Sequence, residues 1–404
     1  MDALKKAWYR SFQAGLNIGS RFLYWRKPIV ISGSGCSRTE IPPIFKKAGI
    51  NRVMVVTGRH VGQSLAPAIM DSLRSAGIDC VHYSKVEANP STATVYEIEE
   101  LYRQEGCQGF LAIGGGSPMD AAKAAAAKIV RPNKPLGKMA GLFKVLHRLP
   151  LFVAVPTTAG TGSETTIAAV ITDSETHHKY AIMDLSLVPR YAVLDPELTR
   201  ALPPKTTATT GMDALTHAIE AYLCRTNRTK EVDRLAEEAT VTIFRYLKRA
   251  FDNGDDMEAR EEMLRASFKA GFAFTRAGVG NVHAIAHTLG GLYGTPHGLA
   301  NAVILPIVLE DYDHAVYHRL ARLAELTGIC PGGSEDERAA YFIAEIYDMN
   351  RRMGLPRGFD FILDEDIPKM VKWALAEANP TYPVPVIYNE ARCAQVIRRI
   401  RDMA

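Results

Sequence analysis

From Ile29 to about Pro203, short apolar segments that predict strands alternate with segments that predict helices. The stretch RVMVVTG at 52–58 is β-branched and ends at a glycine, a pattern typical of a buried parallel strand. Further strands are predicted in CVHYSKV, GFLAIG, LFVAVP, KYAIMD and YAVLDP, and a helix is predicted over 61–76. This alternation restricts the fold more than any other feature, and it predicts a doubly wound α/β domain.

The pattern changes after Pro203-Pro204, where the chain becomes helical by period and carries little strand signal. A length of 404 residues also exceeds the usual span of one hydrophobic core. We therefore expect an N-terminal extension over 1–29, an α/β dinucleotide-binding domain over 30–201 and a helical, metal-binding domain over 202–404. The basic, amphipathic extension predicts a helix packed on the body of the protein, with contact to a membrane surface or a partner as the alternative.

Two turns in the α/β half have the composition of a phosphate-binding site. AIGGGSPMDAAK at 112–123 follows a strand and opens a helix, whose free N–H groups suit a pyrophosphate. PTTAGTGSE at 156–164 follows the next strand and offers several hydroxyl groups to a ribose or phosphate. Neither turn has the GxGxxG pattern of a standard Rossmann fold, but together they predict a nucleotide site.

Five side chains in the helical half indicate a metal centre. Asp213 and His217 lie four residues apart on one predicted helix, and His283 and His287 share that spacing on another. His297 follows after a turn rich in glycine. Imidazole and carboxylate ligands without thiolate suit Fe²⁺ or Zn²⁺, and spacing alone leaves open which histidine is not a ligand. The alternative is a polar network between helices that holds no metal.

Four blocks, GGGSPMDAAK, PTTAGTGSE, GMDALTHAIEAY and VHAIAHTLGGLYGTPHG, occur in this order. In this respect the chain resembles the iron-dependent (group III) alcohol dehydrogenases from about Val30 to the C-terminus. The resemblance implies the dehydroquinate synthase-like fold of that family: an α/β nucleotide-binding domain followed by an all-α metal-binding domain. It also implies reversible oxidation of a primary alcohol to an aldehyde, with hydride transfer to nicotinamide C4.

The resemblance further implies roles for individual residues. The implied metal ligands are Asp213, His217, His283 and His297, which leaves His287 as a catalytic proton relay. The implied cofactor contacts are Asn89, Gly114, Gly115, Gly116, Ser117, Asp120, Thr157, Thr158, Thr161 and Lys179.

One departure from the family concerns coenzyme choice. Many members end the first strand of the nucleotide domain with an aspartate that binds the adenosine ribose, whereas this chain has Gly58 followed by Arg59. A guanidinium in place of a carboxylate favours the 2′-phosphate of NADP(H), with NAD(H) as the alternative.

Composition limits the other partners. The net charge of +4 is small for this length and gives no reason to expect nucleic acid binding. Six scattered cysteines, without a CxxC pair, indicate reduced thiols and a cytoplasmic protein. No apolar run is long enough to cross a bilayer. We expect a homo-oligomer acting on a small alcohol or aldehyde; the alternatives are a glycerol-dehydrogenase-like polyol oxidoreductase and a structural or filament-forming subunit with a dehydrogenase body.

Overall fold

A computed structural model describes residues 3–176, 178–330 and 332–404 of the chain. It forms two compact units. The first is Tyr24–Leu202, and the second joins Pro203–Ala404 to the N-terminal segment that ends at Leu23.

The first unit contains a parallel sheet of six strands in the order β1-β9-β6-β4-β2-β3. These strands are β1 (Ile29–Ser32), β2 (Arg52–Gly58), β3 (Asp79–Val86), β4 (Gly109–Gly114), β6 (Leu151–Pro156) and β9 (Tyr191–Leu194). A smaller sheet has the order β5-β8-β7, formed by β5 (Gly141–Leu142), β7 (Ala168–Thr172) and β8 (Lys179–Met183).

The large sheet is buried on both faces, which explains why its strands are continuously apolar rather than alternating. Along β2, Val53 and Val55 join one apolar cluster, whereas Met54 and Val56 join the cluster on the opposite face. The helices of this unit are α2 (Cys36–Thr39), α3 (Ile41–Lys47), α4 (Arg59–Ser64), α5 (Ala66–Ser75), α6 (Thr92–Gln104) and α7 (Gly116–Val130).

The helix predicted over 61–76 is divided in the structure. One short helix, α4, ends at Ser64, and α5 begins at Ala66 with Pro67 in its first turn. Proline has no N–H to continue an upstream helix but is well suited to the start of a new one. The interruption therefore follows from Pro67, which the periodicity alone did not take into account.

The second unit is helical throughout its described residues. Its helices are α1 (Ala3–Arg21), α8 (Pro204–Leu223), α9 (Lys230–Asp252), α10 (Met257–Ala277), α11 (Asn281–Tyr293), α12 (His297–Tyr312), α13 (Tyr317–Thr327), α14 (Glu335–Arg352), α15 (Ile367–Ala378) and α16 (Glu390–Asp402). The predicted fold class, an α/β domain followed by an all-α domain, is confirmed. None of the described helices combines the length and apolar character that a membrane crossing requires.

Candidate metal and nucleotide sites

The two predicted nucleotide turns lie side by side in the first unit. Strands β4 and β6 pair in parallel as far as Gly114 and Pro156, so the segments that follow them leave the sheet at the same edge. The N–H of Thr157 donates to the carbonyl of Gly114 over 3.0 Å. The turn after β4 and the turn after β6 therefore form one continuous surface at the carboxyl ends of the strands, where open α/β sheets bind ligands.

The first turn leads directly into α7. Gly114 has φ +152°, and a Cβ at this position would lie 2.7 Å from Cγ of Pro118. Only glycine fits there without displacing the proline. The helix begins at Gly116, so its N-terminal N–H groups and partial positive charge suit an anion.

Ser117 and Asp120 are tied to neighbouring segments. The hydroxyl of Ser117 donates to the carbonyl of Ala88 over 2.6 Å. Asp120 accepts hydrogen bonds from Ser163 Oγ at 2.8 Å and from the N–H of Val170 at 3.1 Å. Burial raises the pKa of Asp120, and nearby Lys123 partly offsets this effect. Asp120 thus holds the second turn and β7 against α7.

Two other predicted cofactor residues contact each other directly. Nζ of Lys179 donates to Oδ1 of Asn89 over 2.9 Å, although the two residues lie ninety positions apart in the chain. Both side chains are exposed at this point, between the segment after β3 and the start of β8. The pair offers a cation and an amide to a polar ligand.

The two residues that bear on coenzyme choice lie where β2 passes into α4. Gly58 ends the strand with extended backbone (φ −78°, ψ 164°) and Arg59 is the first residue of the helix. Arg59 is exposed. Its guanidinium is therefore accessible to an anionic group, and no carboxylate occupies the strand end.

In the second unit, four of the five predicted metal-centre side chains converge. Ligand atoms of Asp213, His217, His283 and His297 all lie within 4.8 Å of one another. The first two are on α8, His283 is on α11, and His297 begins α12. The side chain of His297 is 39% exposed, whereas Asp213 is 2% exposed, so the cluster opens on one side only.

Close packing of α12 on α8 brings His297 to the cluster. A Cβ at Gly298 would lie 2.4 Å from the carbonyl oxygen of Thr209, a distance that backbone atoms cannot accommodate. The glycine after His297 therefore lets the start of α12 approach α8 one turn before Asp213. Nε2 of His297 lies 3.5 Å from Oδ1 of Asp213.

Asn301, four residues after His297 on α12, shows where these side chains point. Its Nδ2 lies 2.7 Å from Oδ1 of Asp213, 3.2 Å from Nε2 of His283 and 3.1 Å from Nε2 of His297. A single donor thus reaches three of the four candidate ligand atoms. Its Oδ1 is buried and has no hydrogen-bond partner among the described residues. An inward-facing set of one carboxylate and three imidazoles fits a divalent cation such as Fe²⁺ or Zn²⁺.

Glu220 orients His283 from behind. Its Oε2 lies 2.5 Å from Nδ1 of His283, and the carboxylate also accepts the N–H groups of Gly280 and Val282 at 2.8 Å each. Burial raises the pKa of Glu220 to about 7 even though these hydrogen bonds lower it. The contact directs Nε2 of His283 to the cluster, as carboxylate partners do for metal-binding histidines.

Burial keeps the imidazole of His283 in the form that binds metals. It lowers the pKa of His283 well below its usual value, and the neighbouring imidazoles of His217 and His297 lower it further. His283 is therefore neutral at neutral pH, with a lone pair available on Nε2. The ring of His217 stacks on Phe274 with centroids 4.1 Å apart, which fixes its orientation.

His287 lies beside the cluster, but its hydrogen bond joins it to a separate group of side chains. Its Nδ1 lies 2.6 Å from Oε1 of Glu377, and the same oxygen accepts the hydroxyl of Tyr382 at 2.7 Å. Although burial acts in the opposite direction, His287 and the Tyr382 hydroxyl lower the pKa of Glu377. The ring of His287 stacks on that of His297 with centroids 5.1 Å apart. The structure thus places an ionised carboxylate behind an imidazole that is 43% exposed.

Four of these residues were missed by the sequence analysis. Glu220 follows His217 by three positions and Asn301 follows His297 by four, so helical spacing alone would have placed both on the cluster face. Glu377 and Tyr382 lie on and after α15, about ninety residues from His287, and nothing in the local sequence points to them.

Two family profiles match the chain in succession. Residues 28–196 match "Iron-containing alcohol dehydrogenase", and residues 207–400 match "Fe-containing alcohol dehydrogenase family, C-terminal". Together they cover most of the 404 residues.

Individual proteins are similar over most of the chain. A NAD-dependent methanol dehydrogenase of Bacillus methanolicus is 35% identical over 92% of this chain and 97% of its own length. A NADPH-dependent butanol dehydrogenase of Clostridium saccharobutylicum is 39% identical over 71% of this chain and 74% of its own. The crystal structure of a 1,3-propanediol oxidoreductase superimposes with a TM-score of 0.89 at 34% identity, covering 94% of this chain and 100% of that one.

Proposed function

Since this chain belongs to the iron-containing alcohol dehydrogenase family, we propose that Asp213, His217, His283 and His297 are the ligands of its divalent cation. The protein is a metal-dependent, NAD(P)-linked alcohol dehydrogenase. The observation that supports this ligand set is the convergence of four ligand atoms from three helices within 4.8 Å. When bound, the cation polarises the oxygen of the alcohol or aldehyde as a Lewis acid.

The protein's own residues prepare this site. Burial holds His283 neutral, and Glu220 fixes the direction of its ring through Nδ1. Asn301 contributes an amide beside Asp213 that restrains the carboxylate in one rotamer. Ligands held in this way lose little conformational freedom when they bind a cation.

We assign proton exchange to His287. Since Glu377 engages Nδ1, Nε2 is the nitrogen that exchanges a proton with the substrate hydroxyl or with water. The ionised Glu377 stabilises the imidazolium that forms when His287 accepts the proton from the alcohol. In the reverse direction the imidazolium returns that proton to the reduced aldehyde oxygen.

The nucleotide turns take the coenzyme in this proposal. The segment from Gly114 to Ser117 binds the pyrophosphate at the start of α7, and the second turn contributes Thr157, Thr158 and Thr161. The Asn89–Lys179 pair binds ribose hydroxyls. Asp120 contributes by holding the two turns together through Ser163.

The proposed coenzyme is NADP(H), because Arg59 offers an exposed cation at a strand end that has no carboxylate. The named relatives do not decide this point, since one is described as NAD-dependent and another as NADPH-dependent. The proposed substrate is a small primary alcohol or its aldehyde, as with the methanol and butanol enzymes to which the chain is similar. We further propose a homo-oligomer in the cytoplasm. A structural subunit and a glycerol-dehydrogenase-like enzyme are not favoured.

An aldehyde-reduction assay tests this function. Metal-free protein is loaded with Fe²⁺ or Zn²⁺ under anaerobic conditions and given aldehydes from formaldehyde to butyraldehyde with NADPH or NADH. We expect metal-dependent coenzyme oxidation, with a higher kcat/KM for NADPH. Lack of metal-stimulated turnover with every aldehyde would contradict the proposal.

A further inference from the structure

The N-terminal helix α1 is attached to the helical unit by one face only. Tyr9 and Gln13 are buried on that face, and Gln13 Nε2 donates to the carbonyls of Pro380 and Tyr382 at 3.0 and 2.8 Å. These contacts hold α1 in a fixed orientation on the unit.

Arg10 strengthens the same attachment. Its guanidinium donates to the carbonyls of Val384 and Pro385 at 2.7 and 2.9 Å. It also donates to Oε1 of Gln13 over 2.9 Å, so none of these three bonds pairs the guanidinium with a carboxylate.

The opposite face of α1 is apolar and exposed to solvent. Trp8 is 56% exposed and Phe12 is 40% exposed, one turn apart, and their rings contact each other with centroids 6.0 Å apart. Ile18, and Phe22 just after the helix, are also exposed. Several large apolar side chains on one exposed side indicate an interaction surface rather than chance exposure.

Two glycines show that this face is open along its length. Gly15 follows Trp8 by seven residues and Gly19 follows Phe12 by seven, so both lie on the same side of the helix. A Cβ added at either position would meet no described heavy atom within 4 Å. The apolar face therefore lies against no other part of the described chain at these points.

The charge of the N-terminal segment indicates which kind of partner the apolar face of α1 binds. Residues 1–23 include four basic residues (Lys5, Lys6, Arg10 and Arg21) and one acidic residue, Asp2. Lys5 borders the apolar face, whereas Arg10 and Lys6, which precedes Gln13 by seven residues, lie on the attached side. A net-cationic helix with an exposed aromatic and aliphatic face is typical of helices that lie in the headgroup region of anionic membranes.

We propose that α1 docks this protein on the surface of a bilayer rich in anionic phospholipid. Trp8 and Phe12, with Phe22 just after the helix, enter the boundary between headgroups and acyl chains, while Lys5 contacts lipid phosphates and the remaining cations of the segment add longer-range attraction. A second copy of the chain is the other occupant to consider. In a symmetric contact the same cationic segments would face each other, and the segment has only one carboxylate, Asp2, to offset the repulsion of four cations.

Vesicle flotation of the full-length protein tests this inference. Wild-type protein should float with vesicles of equimolar phosphatidylcholine and phosphatidylglycerol but not with phosphatidylcholine alone. The double variant Trp8→Asp/Phe12→Asp should lose binding by about a hundredfold or more, because each of the two aromatic side chains contributes about tenfold or more when it leaves water. Lys5→Gln/Lys6→Gln should bind more weakly and lose part of the salt dependence seen with wild type, since it removes two of the four cations of the segment.

The control is Tyr341→Asp, since Tyr341 is an aromatic residue of the same unit, on α14, with a similar exposure of 58%. Its flotation should equal that of wild type, and all variants should keep wild-type dehydrogenase activity. Equal flotation of the Trp8/Phe12 variant and wild type, or failure of wild type to float, would overturn the inference. So would a change of sedimentation mass in the Trp8/Phe12 variant without a change in flotation, which would identify a second copy as the occupant. If the aspartate variant does not fold, the Lys5/Lys6 variant decides between the same outcomes.

Discussion

Oε2 of Glu220 lies 2.5 Å from Nδ1 of His283, and both side chains are almost completely buried. This contact fixes the ring so that Nε2 faces the other three candidate ligands. A buried carboxylate therefore supports the proposed metal centre without belonging to the proposed ligand set.

Replacing Glu220 by glutamine tests that support. The variant keeps the size of the side chain but loses the negative charge, so we expect metal affinity to fall about 10–100-fold. Competition with a chelator measures the change. Glu237→Gln is the matched control. Glu237 lies on α9 and accepts a hydrogen bond from Tyr222 of α8, but it is not part of the cluster. Equal affinity in the Glu220 variant and the wild type would contradict this role.

The predicted difference between His283 and His287 can be measured with two alanine variants. His283→Ala should lose both bound metal and activity, because it removes a ligand. His287→Ala should retain the metal and lose about 10²-fold or more in turnover, a typical contribution of general acid–base catalysis. Metal analysis and kcat are compared with those of His318→Ala, an exposed histidine on α13. Loss of metal from the His287 variant would reverse the assignment of the two residues.

Glu377 is expected to act through His287. Glu377→Gln should lower kcat about tenfold while leaving the metal content unchanged, because the imidazolium loses its stabilising carboxylate. Tyr382→Phe should have a smaller effect, since it removes only the hydroxyl that supports Glu377. A change in KM without a change in kcat would indicate that Glu377 contributes to binding rather than to proton exchange.

The pKa of Glu377 also predicts how stability depends on pH. Because its folded-state pKa is lowered, the contact contributes stability above the ordinary carboxyl pKa and loses it as the pH falls through the lowered value. The free energy of unfolding of Glu377→Gln should therefore be below that of wild type at neutral pH. The difference should shrink below about pH 4. Denaturant titrations at several pH values test this, and a difference that grows with acid would refute it.

Coenzyme preference should depend on Arg59. Arg59→Ala should lower kcat/KM for NADPH by about tenfold or more and leave that for NADH almost unchanged, since only NADPH carries the 2′-phosphate. Lys46→Ala, at an exposed position on α3, is the control. Equal losses with both coenzymes would place Arg59 outside the phosphate contact.

Much of this architecture could be predicted from the sequence, because it depends on local patterns. Strand β2 was predicted with the bounds that the structure shows, and the change to helices after Pro203 coincides with the start of the second unit. The family assignment from four blocks is confirmed by both profile matches. The helix over 61–76 was predicted incorrectly as continuous, because hydrophobic periodicity does not register a single proline.

The geometry of the candidate metal site could be predicted only in part. Asp213 and His217 share a face of one helix, so their proximity follows from spacing alone. The position of His297 depends on the packing of α12 against α8 at Gly298, and the position of Glu377 depends on the packing of α15 against α11. Such contacts between distant segments leave no periodic signal in the sequence, which is why spacing could not decide which histidine is the extra one.

Diffraction from crystals of iron-loaded protein, recorded at the iron absorption edge, locates the bound cation directly. We expect one anomalous peak per chain, about 2 Å from ligand atoms of Asp213, His217, His283 and His297. A peak coordinated by His287 in place of one of these four, or located away from the cluster, would contradict it.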